Sequence, residues 1–275
     1  MDRLTRATVI ALTFSLMCNS AALSASNAVK GTWALAGSAP KITGYIVAIR
    51  RPEGTLLDIV QFRGGSRTPI ISYALAMNAY MHFIIVRDDF HDFLHLHPVL
   101  RGGHFRVPVT LAAGHRYYAY ADSEPTKLGQ QVLRFALQGE VPPGHQDTAV
   151  SASPNYVAAG PYVVRLSATT VRASLPQPLI ARITRNGMPA TDLHPYLGAS
   201  AHAVLINTAD LTYIHVHPTS SSPMRGMMTE TLPANITVGP TLRLNTKVRK
   251  GVYKLWLQFR GGSTVYVAPF TIVAR

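Results

Sequence analysis

Six histidines in this chain fall at repeated spacings. His82, His95 and His97 are separated by 13 and 2 residues, and His202, His215 and His217 repeat those intervals 120 residues later. The last two of each set share a word, Phe93-Leu94-His95-Leu96-His97-Pro98 in one copy and Tyr213-Ile214-His215-Val216-His217-Pro218 in the other. Neutral imidazole is the commonest side-chain ligand for divalent first-row metals. Three imidazoles on one surface therefore form a first coordination shell with a position left over for water or another side chain.

To gather three rings, each copy must be a β-hairpin. The apolar runs His82-Phe83-Ile84-Ile85-Val86 and His202-Ala203-Val204-Leu205-Ile206 precede polar tips at Arg87-Asp88-Asp89 and Asn207-Thr208-Ala209-Asp210, as hairpins require. Side chains alternate between faces along a strand, so His95 and His97 share a face, as do His215 and His217. A turn centred between Thr208 and Ala209 places His202 across from His215, and the 120-residue offset places His82 across from His95. This predicts one triad, and one ion, in each half of the chain. Aligning Tyr117 with Tyr253 pairs Asp122 with Gln258, so a carboxylate completes the first site where an amide stands in the second. Met224, Met227 and Met228 follow the second triad and offer thioethers, which favour Cu(I).

The composition narrows the chemistry. Cys18 is the sole cysteine and lies in residues 1–24, which read as a signal peptide: Arg3 and Arg6, an apolar core from Ala7 to Met17, and a small-residue cleavage site at Ala22-Leu23-Ser24. After cleavage neither disulfides nor thiolate sites remain, and no later run is apolar enough for a transmembrane helix. The expected location is periplasmic or secreted.

Residues 25–146 carry 12 Lys+Arg against 8 Asp+Glu, a net +4, and residues 147–275 carry 12 against 4, a net +8. Basic residues crowd at Arg243, Lys247, Arg249, Lys250 and Lys254, a surface suited to an anionic envelope or an acidic protein partner. Nucleic-acid binding finds neither a fold motif nor the right compartment.

Short apolar strands, Pro/Gly turns and no long amphipathic helix indicate an all-β chain. The duplication divides it into two tandem immunoglobulin-like or cupredoxin-like β-sandwich domains, residues 25–146 and 160–275, joined by a linker at 147–159 that is rich in small residues and proline. His82-Phe83-Ile84-Ile85-Val86-Arg87-Asp88-Asp89 with Phe93-Leu94-His95-Leu96-His97-Pro98 and Tyr117-Tyr118-Ala119-Tyr120-Ala121-Asp122, and their counterparts around His202 and Gly251 to Phe259, resemble a family of exported bacterial proteins carrying paired HxHP domains. The resemblance implies a secreted β-sandwich and metal handling. The segment from Val29 to Tyr80 mirrors Tyr162 to Ser200 poorly in sequence.

The resulting expectation is an exported metal-binding protein, copper ahead of zinc by the Irving–Williams order; whether it is also an enzyme stays open, with no catalytic residue assigned and no G-x-S-x-G elbow to mark a nucleophile. The competing reading is an envelope interaction module whose histidines are structural. His91, His104, His115, His145 and His194 have no counterparts in the repeat.

Overall fold

The computed structural model describes residues 28–137, 152–220 and 231–275. The signal segment 1–24 and the methionines Met224, Met227 and Met228 lie outside the described residues. The described residues contain strands and no helix, so none is present that could cross a membrane.

The first half comprises β1 (Ala28–Lys30), β2 (Thr32–Trp33), β3 (Ile42–Arg51), β4 (Gly54–Arg63), β5 (Met81–Arg87), β6 (Phe93–Leu96), β7 (Val99–Arg101), β8 (His104–Val109), β9 (Tyr117–Ser123) and β10 (Gln131–Leu137). The second comprises β11 (Tyr156–Ala159), β12 (Tyr162–Leu166), β13 (Thr170–Val171), β14 (Gln177–Arg185), β15 (Met188–Pro189), β16 (Leu193–His194), β17 (His202–Asn207), β18 (Tyr213–Val216), β19 (Thr219–Ser220), β20 (Thr241–Thr246), β21 (Gly251–Gly261) and β22 (Thr264–Ala274).

Each half is a two-sheet sandwich, and the two have the same strand order. An outer sheet β1-β3-β4-β8-β7 and an inner sheet β2-β10-β9-β5-β6 are matched by β11-β12-β14-β20-β19 and β13-β22-β21-β17-β18. The opening segment whose sequence mirrors the second half poorly thus supplies equivalent strands. One local difference is that β2 joins β10 antiparallel whereas β13 joins β22 parallel. Tyr156–Ala159, within the stretch assigned to the linker, is strand β11 and pairs with β12. The second sandwich therefore begins before residue 160, because Tyr156 and Val157 favour strand and Val157 packs on the core.

Three apolar clusters hold these layers. One fills the first sandwich, with Phe83, Ile85, Phe105 and Phe135, and another fills the second, with Leu205, Leu257, Phe259 and Phe270. The third lies between the two inner sheets, where Ile84, Val86, Tyr118 and Tyr120 meet Val204, Ile206, Tyr213 and Trp256. The inner sheets are thus buried on both faces. That explains why β5, β9 and β17 are near-continuous apolar runs rather than alternating ones.

Candidate metal centre

The residue parity of the inner strands sets the site. Along β5, Phe83 and Ile85 point into their own sandwich while Ile84 and Val86 point at the opposite one, and His82 shares the latter parity. Along β17, Ala203 and Leu205 point inward while Val204 and Ile206 face across with His202. His82 is the second residue of β5 and His202 the first of β17, His95 and His215 lie on the paired strands β6 and β18, and His97 and His217 stand just past those strands' ends, so the six rings are carried on facing surfaces.

The hairpin register differs from expectation by two residues. Ile84 pairs with His95 and Val204 with His215, which continues to place His82 opposite His97 and His202 opposite His217. The tips cause the shift: Asn207 Oδ1 accepts from the backbone N–H groups of Ala209 and Asp210, Asp210 Oδ1 accepts from Thr212 N–H, and Leu211 takes φ 59°. These side-chain caps move the turn centre one residue along. A shift of two leaves parity unchanged, so the rings stay on one face.

The larger correction concerns the number of sites. The two triads do not stand apart, one in each sandwich; they converge in the plane between them. Ligand nitrogens of His82, His95, His202 and His215 all lie within 4.8 Å of one another, and this cluster could hold a metal ion. Ring centroids of His82 and His215 are 4.9 Å apart, and those of His95 and His202 are 5.2 Å apart. His97 and His217 flank the four, their ring centroids 4.7 Å from His95 and 4.6 Å from His215.

The outward nitrogens are occupied. His82 Nε2 meets the Ala76 carbonyl at 3.0 Å, and His202 Nε2 meets the Tyr196 carbonyl at 3.0 Å. Both carbonyls sit in the same tight turn, closed by paired hydrogen bonds between Ala76 and Ala79 and between Tyr196 and Ala199. The central residues are left-handed: Met77 at φ 44° and Asn78 at 63°, Leu197 at 50° and Gly198 at 80°. For the other two rings the partners cross between sandwiches. His95 Nδ1 donates to Gln258 Oε1 at 2.7 Å, and His215 Nδ1 lies 3.2 Å from Asp122 Oδ2. Asp122 also accepts from Gln130 Nε2 at 2.9 Å and from the Tyr213 hydroxyl at 3.2 Å. Asp122 and Gln258 are thus equivalent, as the sequence alignment predicts, but each supports a histidine of the opposite copy.

Inward, His82 Nδ1 is 2.9 Å from His95 Nε2, His95 Nε2 is 3.2 Å from His97 Nε2, and His202 Nδ1 is 3.3 Å from His215 Nε2. Two nitrogens on one ion at about 2.0–2.1 Å are about 2.9 Å apart at a right angle and about 3.3 Å apart in a tetrahedron. His217 Nε2 is buried and has no hydrogen-bond partner.

Burial governs the electrostatics. Desolvation pushes the imidazoles of His82, His95, His202 and His215 below their ordinary value, and His97 and His217 down to about 4. Neighbouring rings add to this in His95, His202 and His215. Burial also raises the Asp122 carboxyl, against the pull of Gln130. The His215–Asp122 contact is therefore not a self-sufficient ion pair, since the protein drives both partners toward neutrality. Six uncharged imidazoles beside one buried carboxyl form a ligand set suited to a cation.

Several residues of the site escape a motif reading. Ala76 and Tyr196 act through backbone carbonyls, and Tyr213 and Gln130 act through Asp122. Their one sequence signal is register: Ala76 and Tyr196 each stand six residues before the first histidine of their copy. Outside the repeat, His104 meets Asp58 at 2.9 Å, His91 meets Asp92 at 3.1 Å and His194 meets the Ile236 carbonyl at 2.9 Å. Each of these is an ordinary local contact.

The chain has no match among curated proteins. Residues 157–275, the second sandwich with its half of the histidines, match a domain of unknown function, DUF8832.

Proposed function

We propose that this is an exported protein that binds a divalent metal between its two sandwiches, with copper favoured over zinc, and that it serves metal handling in the cell envelope. One observation carries the reading. The Ala76 carbonyl can only accept, so it fixes the proton of neutral His82 on Nε2 and leaves Nδ1 as a lone pair. That lone pair lies 2.9 Å from His95 Nε2, which is itself 3.2 Å from His97 Nε2. With His95 donating to Gln258 through Nδ1, the lone pairs of His82 Nδ1 and His95 Nε2 face each other at 2.9 Å with no proton between them, an arrangement a cation stabilises. Such outward hydrogen bonds also characterise metal-ligating histidines, because they fix ring orientation and raise ligand basicity.

His82, His95, His202 and His215 would hold the ion, with His97 and His217 completing or widening the shell. An all-imidazole set with no thiolate suits Cu(II) or Zn(II), and copper leads on intrinsic affinity. A bound cation would also keep Asp122 ionised and its contact to His215 charge-assisted. The test is calorimetric titration of metal-stripped, tag-free protein with Cu(II) and Zn(II). The expected result is binding tighter than about 10 μM, the level at which about 7 kcal/mol of binding free energy is realised. Weaker binding of both metals would overturn the reading.

A further inference from the structure

The two approaches to the cluster are unequal. On one side a cavity of about 280 Å³ reaches the histidines, lined by Ala76, Tyr80, His82, Asp122, Glu124 and His217 among others. On the other, the position equivalent to Ala76 is Tyr196, whose ring stands 5.4 Å from His202 and 6.4 Å from His95, edge-on to both. The same tight turn thus carries a methyl group at the first approach and a phenol at the second. The carboxylates are equally one-sided. Asp122 and Glu124 both line the cavity, while Gln258 and Arg260 occupy their positions in the second copy, where Arg260 donates to the Gly262 carbonyl at 3.1 Å. Glu124 is exposed at this mouth, so the open approach carries an acidic group where the equivalent position of the second copy carries the basic Arg260. His217, whose buried Nε2 has no partner, also lines it.

We infer that this cavity is the port through which a hydrated divalent cation reaches and leaves the histidines, with the exposed Glu124 drawing it in, His217 receiving it beside Asp122, and Ala76 keeping the way open. The inference rests on the metal-binding reading and adds direction to it: exchange proceeds through the first sandwich's side, and Tyr196 seals the second. A hydrated ion must exchange water for imidazole one ligand at a time. A carboxylate-lined vestibule ending at a free nitrogen supplies such a sequence of oxygen and then nitrogen donors.

The experiment is stopped-flow mixing of the metal-stripped full chain with Cu(II) or Zn(II), then release to an excess of chelator, with equilibrium titration of each variant as control. Ala76→Tyr installs the side chain that the equivalent turn already accommodates, so the fold should be retained. It keeps the Ala76 carbonyl and should slow both association and release by about tenfold or more, since blocking a path changes both rates together. Glu124→Gln should slow association about two- to tenfold at low salt, with the difference vanishing at high salt. Tyr196→Ala should quicken release. If Ala76→Tyr binds with native affinity and exchanges at the native rate, the port is elsewhere and the metal reading stands. If the unaltered chain binds neither metal, both fall. Circular dichroism of each variant separates a blocked port from a misfolded one.

Discussion

The two halves of this molecule share strand order, hairpin register and histidine spacing, yet they differ where the repeat meets solvent and where it meets itself. Ala76 faces Tyr196 across the pseudo-symmetry, Asp122 faces Gln258, and Glu124 faces Arg260. The retained parts are those that any single copy needs to fold and to aim its rings. The changed parts concern the assembled pair: which side is open, and which side carries charge. A duplication read one copy at a time therefore yields two three-histidine sites, whereas the pair yields one shared cluster with a front and a back.

The sharpest way to break this comparison is to disable one copy. In two independent sites, replacing His95 and His97 with alanine would remove one ion and leave another untouched. In a shared cluster, that change and the His215→Ala/His217→Ala change should each weaken all bound metal, by at least about a hundredfold, since even the outer partners of ligands typically contribute 10–100-fold. Titration stoichiometry and affinity of both double variants decide this, and an intact tight site in either would restore the two-site arrangement.

The interface offers the next largest effect. Trp256 is 2 % exposed and stacks on Phe93 of the opposite sandwich with ring centroids 5.0 Å apart. Tyr120 and Tyr213 stack across the same plane at 5.1 Å. Trp256→Ala should cost about 3–5 kcal/mol and should do so for the whole molecule, because the sandwiches share a core. Calorimetry of the unaltered chain should accordingly show one unfolding transition. Two well-separated transitions, with only the second shifted by Trp256→Ala, would mean that each sandwich folds alone and that the facing layers only touch.

Acid should separate the metal-free and metal-bound forms. Burial depresses the six imidazoles, two of them to about 4, so between that value and the ordinary 6.5 the unfolded chain binds more protons than the folded one. Folding stability is then fully present above about 6.5 and is lost as pH falls toward 4. A solvated imidazole gives up a metal to protons near 6.5. The burial of the cluster moves proton competition in the folded state below that. The melting temperature of stripped protein between pH 7 and 4 should fall more steeply than that of a His97→Gln/His217→Gln variant, and equal slopes would show that these rings titrate normally.

What the chain reveals on its own follows from locality. The parity that gathers His82, His95 and His97 on one face follows from period-2 alternation, and the all-β class from turn chemistry, so both are legible without coordinates. The meeting of the two faces is not, because it is fixed by Val204, Ile206 and Trp256 packing on Ile84, Val86 and Tyr120, pairs separated by more than a hundred residues. A clue lies in β5 and β17, whose unbroken apolar runs are excessive for a sandwich with one wet face. The turns at Ala76 and Tyr196 are harder still, since a carbonyl that orients an imidazole leaves no residue-type signature.

The finest test of the comparison is the crossed support of the rings. Gln258 of the second copy holds His95 of the first, and Asp122 of the first holds His215 of the second. Both residues fix a tautomer, but only the carboxylate adds charge beside a cation, and it accepts three donors rather than one. Asp122→Asn keeps the shape and removes the charge, so it should lower Cu(II) affinity by about 10- to 100-fold. Gln258→Glu adds the missing charge at the equivalent place. If the two supports are interchangeable in kind, combining the substitutions should recover most of what Asp122→Asn loses, because the net charge around the cluster is restored and each ring keeps an acceptor at Nδ1. If the combination stays as weak as the single change, the carboxylate matters where it stands, beside His215 at the open mouth, and the asymmetry between the copies is one of position rather than of total charge.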